Sequence, residues 1–137
     1  MLVFLQQSRS KNMGILSGLL GNAAEIDVAD VEQELASILA EGEKLEQVFK
    51  IIRDLIVFTN KRLIFIDKQG LTGSKKEYMS VPYRSVVRFA AETKGHFDLE
   101  SDLKIWLSST EQPISKTFNK DGNIMAVQKA LATYVCR

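Results

Sequence analysis

Apolar residues recur along this chain with two different periods. Between Asp27 and Ala40, Val28, Val31, Leu35, Ile38 and Leu39 fall at helical spacing. Asp27 suits an N-cap, acidic residues fill the early turns and Gly42 suits a stop, so the spacing predicts an amphipathic helix over 27–40. Beyond Gly42 the period falls to two. Residues 45–52, 54–59 and 62–67 read as strands, and the breaks between them are too short for crossover helices, so they should pair as antiparallel hairpins. Residues 68–76 read as a basic, glycine-containing loop. Further strands are predicted over 77–83, where Pro82 suits a strand end, and over 85–93, 103–109 and 114–119. From Asp121 the period returns to helical, with Ile124, Val127, Leu131 and Tyr134 or Val135 on one stripe.

The densest apolar stretch is DLIVFTNKRLIFID, residues 54–67. Leu55, Val57, Leu63 and Phe65 have odd numbers, and Ile56, Phe58, Ile64 and Ile66 even ones. Both faces of this hairpin are therefore apolar, whereas an antiparallel strand with one wet face alternates apolar and polar residues. One of the two sets should line the interior and the other should face outward beneath a cover. The stripe Val31, Leu35 and Ile38 of the first helix is available as that cover, from the same chain or from a neighbour. If bare, four such residues would expose several hundred Å², at the upper end of what monomers tolerate. Val31, Leu35, Ile38, Ile56, Phe58, Ile64 and Ile66 are accordingly the candidate oligomer interface.

The element order is helix, seven short antiparallel strands, helix, which fits a sandwich or partly open barrel with a helix plugging one end. This order closely resembles the bacterial pleckstrin-homology-like family, from about Glu43 to Ala132. The specific parts are Asp54, the FTNKRL hairpin from Phe58 to Leu63, the VPYRSV strand end from Val81 to Val86, and the pair from Asp98 to Trp106. The resemblance implies a mainly β pleckstrin-homology fold, two nearly orthogonal sheets capped by the C-terminal helix, here with an extra N-terminal helix. It also implies a tendency to form ring-like homo-oligomers, and it does not imply an enzyme.

Composition narrows the function classes. The chain has 137 residues, 45% hydrophobic and 26% charged, which suits one globular domain with a real core. Residues 1–26 read as an extension, partly disordered or docked, ahead of one domain over 27–137. A net charge of +1 gives no global field to attract nucleic acid, which is not expected as a partner. No apolar run reaches the length of a membrane-spanning helix. The segment MGILSGLLGNAA faintly imitates a signal peptide, but Ser17 and Gly18 break it and MLVFLQQ lacks a basic start. Met13 is an alternative start, and Gly18 then stands where myristoylation wants Ser or Thr. The lone Cys136 offers no intramolecular disulfide, so a cytoplasmic setting is expected, with peripheral membrane attachment as its variant.

Candidate chemistry is sparse. His96, Asp98, Glu100 and Asp102 are spaced by two and would share one face of a strand. Same-face neighbours stand about 7 Å apart, too far for all four to reach one ion, so no metal and no cofactor is expected. One His and no nucleophile elbow leave nothing for hydrolysis, and GLTGSKK lacks the spacing of a phosphate-binding loop. Lys61, Arg62, Lys75 and Lys76 are the leading candidate anion-binding residues, with Lys68, Arg84 and Arg88 as further candidates. Some eukaryotic pleckstrin-homology domains bind phosphoinositides through a basic cluster around the first hairpin. Here that hairpin reads FKIIRDLIV, with only Lys50 and Arg53. The expected function is a non-catalytic, self-assembling scaffold or binding domain with an unidentified protein partner. The alternative is a membrane-surface or anion-binding module using its loop lysines.

Overall fold

The computed structural model describes residues 27–93, 100–119 and 123–136. The extension over 1–26, with both start sites, lies outside the described residues, as do His96 and Asp98.

Among the described residues, seven strands form two antiparallel sheets. β1 (Leu45–Ile51), β2 (Asp54–Thr59), β3 (Arg62–Gln69) and β4 (Lys75–Pro82) make a four-stranded meander in that order. A 3-10 turn at Tyr83–Ser85 leads to the second meander, β5 (Val86–Thr93), β6 (Glu100–Leu107) and β7 (Ile114–Asn119). α1 (Val28–Leu35) precedes the sheets and α2 (Ile124–Val135) follows them. The expected mainly β, partly open barrel with a C-terminal helix is what the chain forms.

Six boundaries differ from expectation, each for a local reason. α1 ends at Leu35 instead of Ala40 because the chain beyond it is diverted into a polar clamp: the Ala40 N–H donates to Glu43 and the Ile38 carbonyl accepts from Arg62. β3 runs on to Gln69 and β4 begins at Lys75, so the loop shrinks to residues 70–74. Polar residues at Lys68–Lys76 and Gln69–Lys75 continue the ladder without any apolar signal. β6 spans 100–107 instead of 103–109, pairing Glu100 with Asn119 and Asp102 with Thr117. α2 starts at Ile124, capped by the Asn123 side chain, which accepts the Ala126 N–H at 3.3 Å.

Register decides which face each residue of the long apolar hairpin occupies. Phe58 pairs with Leu63, Ile56 with Phe65, Val57 with Ile64 and Leu55 with Ile66. Directly opposed residues point to the same side of a sheet, so odd numbers on β2 share a face with even numbers on β3. This corrects the expected grouping by parity, which ignored the two-residue turn Asn60–Lys61. Ile56, Phe58, Leu63 and Phe65 face the second sheet and α2. Phe58 stacks on Tyr134 of α2 at 5.4 Å and on Tyr83 at 6.4 Å, and Lys116 of β7 lies 5.3 Å from the Phe65 ring centroid. Leu55, Val57, Ile64 and Ile66 occupy the outer face, and all are buried.

α1 lies over that outer face. Its Glu34 carboxylate accepts from Tyr78, the residue opposite Ile66, and from Lys76. Val31 and Leu35, at i and i+4, point inward, and Leu35 is 0% exposed. The cover on the outer face is supplied by the same chain. At the other end of the fold, Leu131 of α2 is wholly buried, and Tyr134 adds a hydrogen bond from its hydroxyl to Glu46.

Candidate functional site

The seven residues expected to form an interface separate into three places. Val31, Leu35, Ile64 and Ile66 meet at the helix–sheet seam, where none is exposed. Ile56 and Phe58 belong to the inner core. Only Ile38, just past α1, remains 39% exposed. The four expected anion-binding residues also separate. Lys61 and Arg62 lie at the β2–β3 turn, whereas Lys75 and Lys76 start β4 opposite Gln69 and Lys68. Seven strand steps, about 23 Å at 3.3 Å each, divide the two pairs. In a meander, the first and third turns share one end and the second turn occupies the other.

Arg62 is already engaged. Its Nε donates to Glu43 Oε2 at 2.9 Å and its Nη2 to Glu43 Oε1 at 3.0 Å, while further bonds reach Ser80 and the Ile38 carbonyl. The Glu43 side chain is 0% exposed and also accepts from the Thr59 hydroxyl at 2.7 Å. Burial alone would push this carboxyl up, but the Arg62, Ala40 and Thr59 hydrogen bonds overcome it and hold the pKa at about 2. This bidentate pair ties the segment after α1 to the β2–β3 turn; it is a structural clamp.

The opposite end has a different character. The β1–β2 turn, Ile52 and Arg53, meets the 70–74 loop, where Arg53 Nη2 donates to the Gly70 carbonyl at 2.9 Å. Gly73, at φ +72°, admits this approach; a Cβ there would stand 2.9 Å from Arg53 Nη2. Two clefts flank the turn. One, of about 280 Å³, opens between the sheets and includes Asp54, Lys68 and Lys116 in its lining. The other, of about 380 Å³, lies on the α1 side and includes Lys50, Arg53, Lys68 and Lys76. Of the expected anion-binding residues, Lys76 joins this group. Lys68, a further expected candidate, joins it too, and Lys50 and Arg53 complete it, although the first hairpin viewed alone has too few cations to suggest it. Turn alternation in the meander is the signal that could have united them.

The acids nearby are already partnered. Asp54 Oδ1 accepts the Lys68 backbone N–H at 2.8 Å, and Asp67 pairs with Lys116 at 2.8 Å. Burial would raise the Glu34 carboxyl, but hydrogen bonds from Lys76 and Tyr78 together with Lys68 charge hold it below its usual range. The Glu34 bond correspondingly raises Tyr78. Asp102 accepts from the Thr117 hydroxyl at 2.9 Å. Among the described residues, no three of His, Cys, Asp and Glu gather as a metal site. No helix among them is long and apolar enough to cross a membrane.

Two orthodox β-meanders, a capping C-terminal helix and a strand-end turn at Tyr83–Ser85 define a pleckstrin-homology-type module. The bacterial PH domain family model matches residues 14–135, and the chain belongs to that family. It is similar to the uncharacterized protein YjqA of Bacillus subtilis strain 168, 58% identical over 125 residues that cover 90% of this chain and 99% of YjqA. A pleckstrin homology domain from Shewanella amazonensis SB2B matches at a TM-score of 0.77 with 44% identity, over 89% of this chain and 98% of that one. A DUF1696 family protein with a pleckstrin-homology domain from Shewanella loihica PV-4 matches at 0.71, also with 44% identity, over 84% and 98% of the two chains.

Proposed function

We propose that this module is a non-catalytic scaffold that assembles into homo-oligomers. The observation that carries the reading is the outer edge of β4. β4 ends its sheet, so among the described residues its far backbone edge has no strand partner, and most of its eight residues are exposed. Such an edge is a template for strand addition by another copy. Lys75, Lys76 and Pro82 discourage pairing at the two ends of β4, leaving Glu77–Val81 as the segment for contact. Head-to-tail use of this edge closes into a ring when the rotation between copies permits. Burial of the outer face of the first sheet by α1 moves the expected interface away from Leu35 and toward this edge. The proposed setting is the cytoplasm, where an exposed thiol such as Cys136 stays reduced.

Light scattering at micromolar concentration tests the assembly. The expected native mass is two or more whole multiples of the 15.4 kDa chain. A single-chain mass would overturn the scaffold reading.

A further inference from the structure

The pairing of β5 with β6 slips by one residue at its start. Val86 opposes Leu107 and Arg88 opposes Trp106, so Val87 has no counterpart on β6. A bulge of this kind re-aims side chains and is over-represented beside functional sites. Here Val87 is 59% exposed and Arg88 is exposed next to it, while Val86 stays buried.

Arg88 is held in place but its donors are unused. Directly opposed residues share a face, and the Arg88 guanidinium lies 4.3 Å from the centroid of the half-buried Trp106 ring. Stacking occupies the flat side of a guanidinium and leaves the N–H donors in its plane free to point elsewhere. Among the described residues, no carboxylate or carbonyl accepts from the Arg88 side chain. Arg53 and Arg62, by contrast, donate to Gly70 and to Glu43. The Trp106 ring restrains a long side chain in advance, which lowers the entropic cost of binding through it.

The surroundings decide what fits these donors. A fork of N–H groups matches a planar carboxylate, and Val87 beside it offers an apolar contact. The rest of the face discourages a polyanion: Lys104 is already paired with Glu92 at 3.3 Å, and Asp102 lies opposite Glu92. A lone unpaired cation near two carboxylates suits one acidic side chain, whereas a run of phosphates needs several cations.

We infer that the Val87 bulge and the Arg88–Trp106 stack form a docking site for an acidic protein segment. One Asp or Glu carboxylate bridges the Arg88 donors, and a neighbouring apolar side chain rests on Val87 and the Trp106 edge. Trp and Arg are enriched among the anchors of protein interfaces. The inference does not depend on self-assembly: its residues belong to one chain, so the binding test and the native mass can fail separately.

Selection of displayed random peptides on the full chain provides the test. Enriched sequences should share an Asp or Glu beside an apolar residue. Synthetic copies should shift the emission of Trp106, the only Trp of the chain, in a saturable way. Replacing the acid by its amide should weaken binding about ten-fold or more, the worth of a charge-assisted hydrogen bond. Arg88→Gln should weaken it to a similar degree, and Val87→Ser about five-fold through lost apolar contact. Both variants should keep a nearly unchanged melting temperature because the two side chains are exposed, which separates docking from a structural role. Arg88→Lys keeps the charge without the fork and should retain only part of the binding. Enriched peptides without a shared acid, or binding that survives Arg88→Gln, would overturn the inference. Equally tight, Arg88-dependent binding of a single-stranded oligonucleotide would mark a general anion site and overturn it as well.

Discussion

The two sheets bury their residues by different rules. In the four-stranded sheet, Leu55–Thr59 of β2 and Leu63–Ile66 of β3 are buried without a break. In the three-stranded sheet, Leu103 and Ile105 are buried while Lys104 and Trp106 between and beyond them are not, and β7 buries only Phe118. The second sheet has one core face and one wet face, and on the wet side Arg88 lies 4.3 Å from the Trp106 ring centroid. The first sheet has α1 on its second face. A strand that abandons alternation is reporting a second covering layer, and here that layer is eight residues of the same chain.

This contrast can be broken at several points. The largest effect is expected at the clamp that fixes the segment after α1. Glu43→Ala leaves Arg62 and Thr59 without their buried acceptor and should cost about 3–5 kcal/mol in chemical denaturation. The same carboxylate has a pKa depressed from 4.5 to about 2. Its contribution should therefore be complete above pH 4.5 and be lost as pH falls toward 2. Urea titrations across that window should show a smaller loss in Glu43→Ala than in the native chain.

Next come truncations on the two buried faces. Ile64→Ala, beneath α1, and Leu131→Ala, beneath the barrel cap, should each cost about 2–5 kcal/mol. Comparable losses would establish the outer face as a true second core. The smallest effects belong to exposed positions: Val87→Ala on β5 and Lys129→Ala on α2 should each change stability by under about 0.5 kcal/mol. A cost at Val87 equal to that at Ile64 would remove the distinction between the sheets.

Much of this fold was legible in the chain. Short β-type runs bounded by turn residues located the seven strands of the described residues, and the doubly apolar hairpin foretold a cover. Parity misled because faces depend on register, and the two-residue turn at Asn60–Lys61 sets an odd offset that numbering alone conceals. Helix spacing carried past Leu35 to Leu39, but the Glu43–Arg62 clamp joins residues 19 apart in sequence and leaves no periodic trace. The polar ends of β3 and β4 were hidden for a similar reason: backbone pairing extends them without apolar side chains. The basic end was missed because its cations come from β1, its turn and β3. Only the strand order brings Lys50, Arg53 and Lys68 together.

The claim at the centre of this account is that α1 seals the outer face of its own sheet. Hydrogen exchange across β2 and β3, compared between the native chain and Leu35→Asp, tests it most directly. A carboxylate at this buried position should undock α1, so amides at 55–58 and 63–66 should lose protection while Leu103 and Ile105 keep theirs. In the native chain, protection of the β2 and β3 amides should stay unchanged on dilution, because the cover belongs to the same chain. Protection in β2 and β3 that falls with dilution, or that survives Leu35→Asp intact, would contradict the account.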